Sequence, residues 1–232
     1  MSMPIPAAPV APRTSISQMC ALALCMAMAA GGYGWPVLAE QATELVAHAR
    51  QHHGARAGRA VEAWQQALSQ AQGQAEPEQL RRINAFWNHS LRQADDRTIW
   101  NQADYWATPI ESLAKGAGDC EDFVIGKYFS LLDLGVSPEK LRLIYVRANV
   151  GGTRIAHMVL GYYPNPGDEP LVLDSLLDDI LPARKRADLT PVFSFNGQGI
   201  YAQGSRRAPV EHIGRWRGLL DRMNTEGYRR HP

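Results

Sequence analysis

The body of this chain has almost no cysteine. Of three, Cys20 and Cys25 fall in the first 25 residues, and only Cys120 lies beyond them. An internal disulfide is therefore excluded for the segment from Glu40 onward. Also missing are a long basic stretch, an internal repeat and a low-complexity linker. With 24 Lys and Arg against 23 Asp and Glu, the formal charge is +1, so nucleic acid is not an expected partner. Acidic and basic residues are also missing from the start of the chain, where Arg13 is the only charge before Glu40.

That charge-free start has an order of its own. Arg13 precedes an apolar run from Met19 to Ala30, and Val37-Leu38-Ala39 supplies small or modest residues just before Glu40. A basic start, an apolar core and a small-residue exit form the pattern of a secretory signal peptide over 1–39, cleaved before Glu40. An uncleaved anchor is the rival, but the densest apolar part falls short of the ~20 residues of a spanning helix. Leu24 before Cys25 does not suit lipoprotein processing. The expected mature chain, 40–232, is long enough for one well-buried domain. In an oxidising compartment a lone thiol is open to oxidation and cross-linking, so retaining Cys120 there points to use.

The surroundings of Cys120 support that reading. Lys115-Gly116-Ala117-Gly118-Asp119-Cys120-Glu121-Asp122 places a small-residue turn ahead of a cysteine flanked by three carboxylates, and an apolar helical run follows to Leu134. A helix beginning near Asp119 sets the sulfur among free backbone N–H groups at the positive end of the dipole, where a thiolate is stabilised. The carboxylates act the other way, since like charges disfavour the thiolate. Asp119 and Asp122 can serve as helix caps. A hard cation held by several of these oxygens removes the charge more completely, and calcium suits such a site. An ordinary capped helix with an inert, buried cysteine is the competing reading.

A thiol nucleophile needs a base and an orienting group. Leu141–Val146 and Ile155–Tyr163 read as strands joined at Gly151-Gly152, with Leu171–Asp174 as a third short strand. His157 lies in the second and Asp174 ends the third, close enough along the chain for a hairpin to set them side by side. Upstream, 40–73 reads as helix weakened at Gly54 and Gly58, and Glu76-Pro77-Glu78 restarts a helix with Leu80, Ile83, Phe86 or Trp87, and Leu91 at helical spacing. Asp95–Ile110 shows no periodicity and reads as a packed connection, with Trp100 and Trp106 as packing residues or cleft walls. Pro191–Tyr201 adds a possible strand, and Glu211–Met223 a last helix. Helices first and antiparallel strands after make an α+β domain: a helical N-terminal part packed on an antiparallel sheet. His48 and His52 have helical metal-ligand spacing but no evident third ligand, and surface placement is expected.

Gly116–Asp122, Trp100, Asp104–Pro109, Ala156–Leu160 and Val172–Asp174 together resemble the bacterial transglutaminase-like cysteine proteases of the LapG type, over about Leu80–Leu181. The resemblance implies a papain-like or transglutaminase-like core and a periplasmic endopeptidase with a triad at Cys120, His157 and Asp174. It implies Ca2+ dependence through Asp119 and Glu121, with Asp122 as a further ligand. The implied substrate is a large surface adhesin cut near its N-terminus at a paired-alanine site, releasing cells from a biofilm. The implied partner is an inner-membrane cyclic-di-GMP receptor of the LapD type. The residues leave other outcomes open on the same scaffold: a cell-wall peptide amidase or peptidase, acyl transfer to an amine, or a binding module that has lost its chemistry.

Overall fold

The computed structural model describes residues 35–165, 167–202 and 208–228. The expected signal segment lies outside the described residues over 1–34. The chain divides into two units, Met1–Glu40 and Gln41–Pro232, and every described strand belongs to the second. Among the described residues no helix is long and apolar enough to cross a membrane.

Helix α1 is assigned to Trp35–Ala71 and is interrupted at Gly54, whose φ of 87° only glycine adopts without strain. It buries Leu45, Val61, Trp64 and Leu68. Helix α2, Glu76–Ser90, begins with Pro77 in its first turn beside Glu76 and Glu78, which favour the positive end of the dipole. Leu80, Ile83 and Trp87 are its buried stripe.

The segment expected to be an irregular connection is more ordered than its sequence suggests. A two-residue strand β1, Arg92–Gln93, leads into helix α3, Asp96–Trp100, capped by the Asp95 carboxylate on the Thr98 N–H and closed by Asn101 at φ 55°. Helix α4, Pro109–Lys115, starts in a reciprocal box of Thr108 and Glu111 and ends at Gly116, φ 62°. These elements are one or two turns long, too short for periodicity to show them; only their capping residues mark them. Trp106 is buried between Phe195 and Tyr145, so it packs the core.

Strand β2, Ala117–Gly118, pairs in parallel with β1, and the Ala94 N–H donates to the Gly118 carbonyl at 3.0 Å. Helix α5, Cys120–Asp133, follows at once and is buried from Glu121 to Leu131. Gly126 lets Trp87 lie directly on the helix, since a Cβ there would overlap the indole ring. Ser130, one turn on, accepts the indole N–H of both Trp64 (2.8 Å) and Trp87 (2.9 Å) and donates to the Gly126 carbonyl.

The main sheet is antiparallel throughout, in the order β6-β5-β4-β3-β7-β8. Its strands are β3 (Leu141–Val150), β4 (Thr153–Tyr162), β5 (Leu171–Leu173), β6 (Leu181–Pro182), β7 (Leu189–Asn196) and β8 (Gly199–Ala202). The expected strand over Pro191–Tyr201 is thus a hairpin of two. Leu141, Leu143, Met158, Leu160 and Leu173 join the main core with α5, while Ile144, Val146, Val159 and Val172 form a second apolar cluster. Helix α6, Gly214–Thr225, closes the fold by burying Trp216, Leu219 and Met223, with Val210–His212 as a separate short turn ahead of it. The α+β architecture is the one expected, with α1 to α5 before the main sheet and α6 after it.

Replacing Gly126 with alanine should move Trp87 off α5. The overpacking cost of about 1–3 kcal/mol outweighs the gain of about 1 kcal/mol in helix propensity. A lower Tm and a shifted tryptophan emission in thermal denaturation would report it; an unchanged Tm would contradict this packing.

Candidate active site

His157 and Asp174 pair within the sheet, and Cys120 lies on the helix that abuts β4. Cys120 is the first residue of α5, and the backbone N–H of Met158, the residue after His157, is directed at its sulfur and favours the thiolate. His157 is buried in β4, and its Nε2 lies 2.7 Å from Asp174 Oδ1. Asp174 follows β5 and is fully buried. Pairing of β4 with β5 through Leu160↔Leu173 is what carries Asp174 to His157.

Burial alone would raise the Asp174 pKa. The hydrogen bond and charge of His157, the Leu176 N–H and Arg186 more than offset it, holding the carboxyl at about 2. An ionised carboxylate only accepts, so the His157 Nε2 carries the proton between them, leaving Nδ1 as the imidazole's second nitrogen.

Arg186 is not evident from the sequence. Its Nη2 donates to Asp174 Oδ2 at 2.7 Å and to Asp188 Oδ2 at 2.7 Å, and its Nε to Asp188 Oδ1 at 3.0 Å. The side chain is 6% exposed. The Arg186-Ala187-Asp188 spacing is the available signal, a two-residue salt bridge that pins a guanidinium, but nothing in it names the third member. Lys127 on α5 is also buried. Desolvation brings its pKa down to about 7, partly offset by Asp174 and Asp178. The Asn88 side chain adds a bond to the Asp174 carbonyl.

On the other side of Cys120 stand the acids. Asp119, Glu121 and Asp122 are joined by two that their distance along the chain concealed, Asp96 and Asp104. Ligand oxygens of Asp96, Asp104 and Glu121 lie within 4.8 Å of one another, as do those of Asp96, Asp119 and Asp122. The β1–β2 bridge and the cap of α3 bring Asp96 here, and the Tyr105 N–H donates to its Oδ2. Asp122 accepts from the N–H of Ala107 (2.9 Å) and of Asp119 (3.3 Å), as expected for a residue capping α5. Gly118 allows this approach, since a Cβ there would press on the Asp122 side chain.

Crowded carboxylates hold their protons. Desolvation, then neighbouring acids, raises Asp96 to about 6 and Asp119 to about 10, and pushes Asp122 well above its ordinary value. Oδ1 of Asp96 and Oδ1 of Asp119 are buried with no hydrogen-bond partner among the described residues. Buried oxygens without donors, in a set rich in carboxylates, fit a hard divalent cation such as calcium. The Cys120 thiol donates to Glu121 Oε2 at 3.1 Å, and burial, then Glu121 and Asp119, raise its pKa. His48 and His52, by contrast, stack on each other at 4.2 Å and join no cluster of three candidate metal-binding groups among the described residues.

The family model for bacterial transglutaminase-like cysteine proteinases matches residues 46–188. Among solved structures the chain is similar to Legionella pneumophila LapG. The EGTA-treated form aligns at 35% identity and TM-score 0.70, covering 78% of this chain and 97% of that one. The calcium-bound form aligns at 35% identity and TM-score 0.68, covering 78% and 98%. No curated protein matches.

The charges set two expected outcomes. Arg186→Ala strands a buried carboxylate and should cost about 3 kcal/mol of stability in urea denaturation; a cost under about 0.5 kcal/mol would show that Arg186 does not hold Asp174. In the acid cluster the folded state binds more protons than the unfolded one above the ordinary carboxyl pKa. The cation-free protein is therefore destabilised as pH rises through about 6 and beyond. Calcium should raise Tm more at pH 8 than at pH 5.5, and an equal shift at both would remove these acids from the site.

Proposed function

Because this chain belongs to the bacterial transglutaminase-like cysteine proteinases and is a cysteine endopeptidase, we propose that it is a calcium-dependent periplasmic protease of surface adhesins. In this reading it cuts a large adhesin near its N-terminus at a paired-alanine site and so releases cells from a biofilm. An inner-membrane cyclic-di-GMP receptor of the LapD type holds it in check. The observation that carries the calcium dependence is the contact between the Cys120 thiol and Glu121, inside a cluster of five acids. Likeness to LapG, including a calcium-bound form, supports the cysteine-protease chemistry and the calcium.

The chemistry follows from the geometry. His157 Nδ1 takes the thiol proton, and the Cys120 thiolate attacks the scissile carbonyl. Asp174, fixed by Arg186, keeps the Nε2 proton in place and stabilises the imidazolium. The free N–H groups at the start of α5, that of Cys120 included, face the developing oxyanion. His157 then protonates the leaving amine, and water, deprotonated by the same imidazole, hydrolyses the thioester. Calcium held by Asp96, Asp104, Asp119, Glu121 and Asp122 would neutralise the carboxylates that otherwise oppose a thiolate at Cys120.

The test is cleavage of an adhesin N-terminal fragment containing a double alanine by protein beginning at Glu40. Calcium, a chelator and Cys120→Ala are compared. Cutting should require both calcium and Cys120, with chelation lowering the rate by about a hundredfold or more. Cutting that survives chelation would refute the calcium dependence. Failure to cut the fragment, with cell-wall peptides cleaved instead, would refute the adhesin as substrate.

A further inference from the structure

β4 is longer than the strand that covers it. β3 pairs with β4 from Thr153 to Tyr162, but β5 reaches only Leu160–Tyr162 on the other side. From Thr153 to Met158 that side of β4 carries no strand among the described residues, and residues 153–156 are exposed. The free length is six residues, roughly 20 Å at ~3.3 Å each, and its inner end is Met158, whose N–H is directed at the Cys120 sulfur.

Which backbone groups face outward follows from the ladder. Antiparallel partners alternately point their N–H and C=O toward each other and away. Asn149, opposite Arg154, sends its N–H away from β4, to the Asp188 carbonyl at 2.9 Å. Arg154 therefore points away from β3, and so, in steps of two, do Ala156 and Met158. The Met158 N–H on Cys120 agrees with this count, as does the Tyr163 N–H directed back at Lys140. The open edge thus offers the N–H and C=O of Arg154 and Ala156, in line with the nucleophile.

An open edge this long is usually a hazard, since it templates pairing with other chains. Here it ends at the thiol. We propose that β4 receives the polypeptide substrate as an added strand, the N–H and C=O of Ala156 and Arg154 pairing with alternate substrate residues beside the scissile bond. The proposal rests on the endopeptidase reading. Only an extended polypeptide supplies donors and acceptors at the two-residue spacing of this edge. The arm from Arg147 to Ala156 carries two arginines and no acid, so it suits a segment bearing carboxylates. Val150 and Ile155 are exposed there and offer apolar contact.

The test takes a peptide that the protein cuts and N-methylates it one residue at a time. Cleavage of the unmodified peptide checks the endopeptidase reading by itself. Strand addition predicts that KM rises about tenfold for every second methylated position, on one side of the scissile bond, with intervening positions tolerated. Losses without a period of two, or none beyond the scissile residue, would overturn it. Ala156→Pro removes an outward donor while sparing the β3 ladder. It should raise KM for the unmodified peptide about tenfold with a smaller change in kcat, and an unchanged KM would also overturn the proposal. The N-methyl scan uses the unaltered protein, so a misfolded variant does not decide the outcome.

Discussion

The burial of several carboxylates together around Cys120 is the constraint on which the rest of the site depends. Asp96, Asp119 and Asp122 are all shifted upward, and the thiol with them, first because burial strips water from each and then because neighbouring carboxylates make a further charge costlier. A thiolate formed there is opposed by both. The helix dipole contributes a fraction of a charge, too little against several carboxylates in a partly buried pocket. The same acids that cap α5 thus make its first residue conditional. Structure and control share one set of side chains.

Across the nucleophile the polarity is reversed. Asp174 is fully buried yet ionised, because Arg186, His157 and the Leu176 N–H surround it. Arg186 is in turn gripped by Asp188, just ahead of β7. The orientation of the imidazole is therefore set by the sheet and the loops that end it, and not by the helix that carries the sulfur. The helix that carries Cys120 packs on β4, and its buried Lys127 feels the charge of Asp174.

The sequence disclosed those halves unequally. Cys120 was legible because it is the only cysteine past residue 25 and sits where small residues give way to an apolar helix. His157 and Asp174 were legible because period-two patterning placed them on neighbouring strands. Asp119, Glu121 and Asp122 were legible by adjacency. Asp96 and Asp104 were not, since a two-residue parallel bridge and a single helical turn bring them in, and such elements leave no periodic trace. Arg186 was hidden for a related reason: its partner Asp174 is distant in the chain, and a guanidinium in a polar loop looks like surface until the fold buries it. The first two residues of β4, Thr153 and Arg154, were also invisible, because they are exposed on an arm with no alternation to read.

Ser130 has a hydroxyl with two lone pairs and one proton, and all three are in use: two indoles donate to it and it donates to Gly126. Its proton finds that carbonyl only when α5 is wound, and only then do the lone pairs face Trp64 and Trp87. Cooperativity is thereby written into one oxygen atom. Loosening α1 or α2 strands a lone pair on the catalytic helix, and unwinding that helix strands two indoles in the core. The N-terminal helices and the nucleophile's helix are stable together and costly apart.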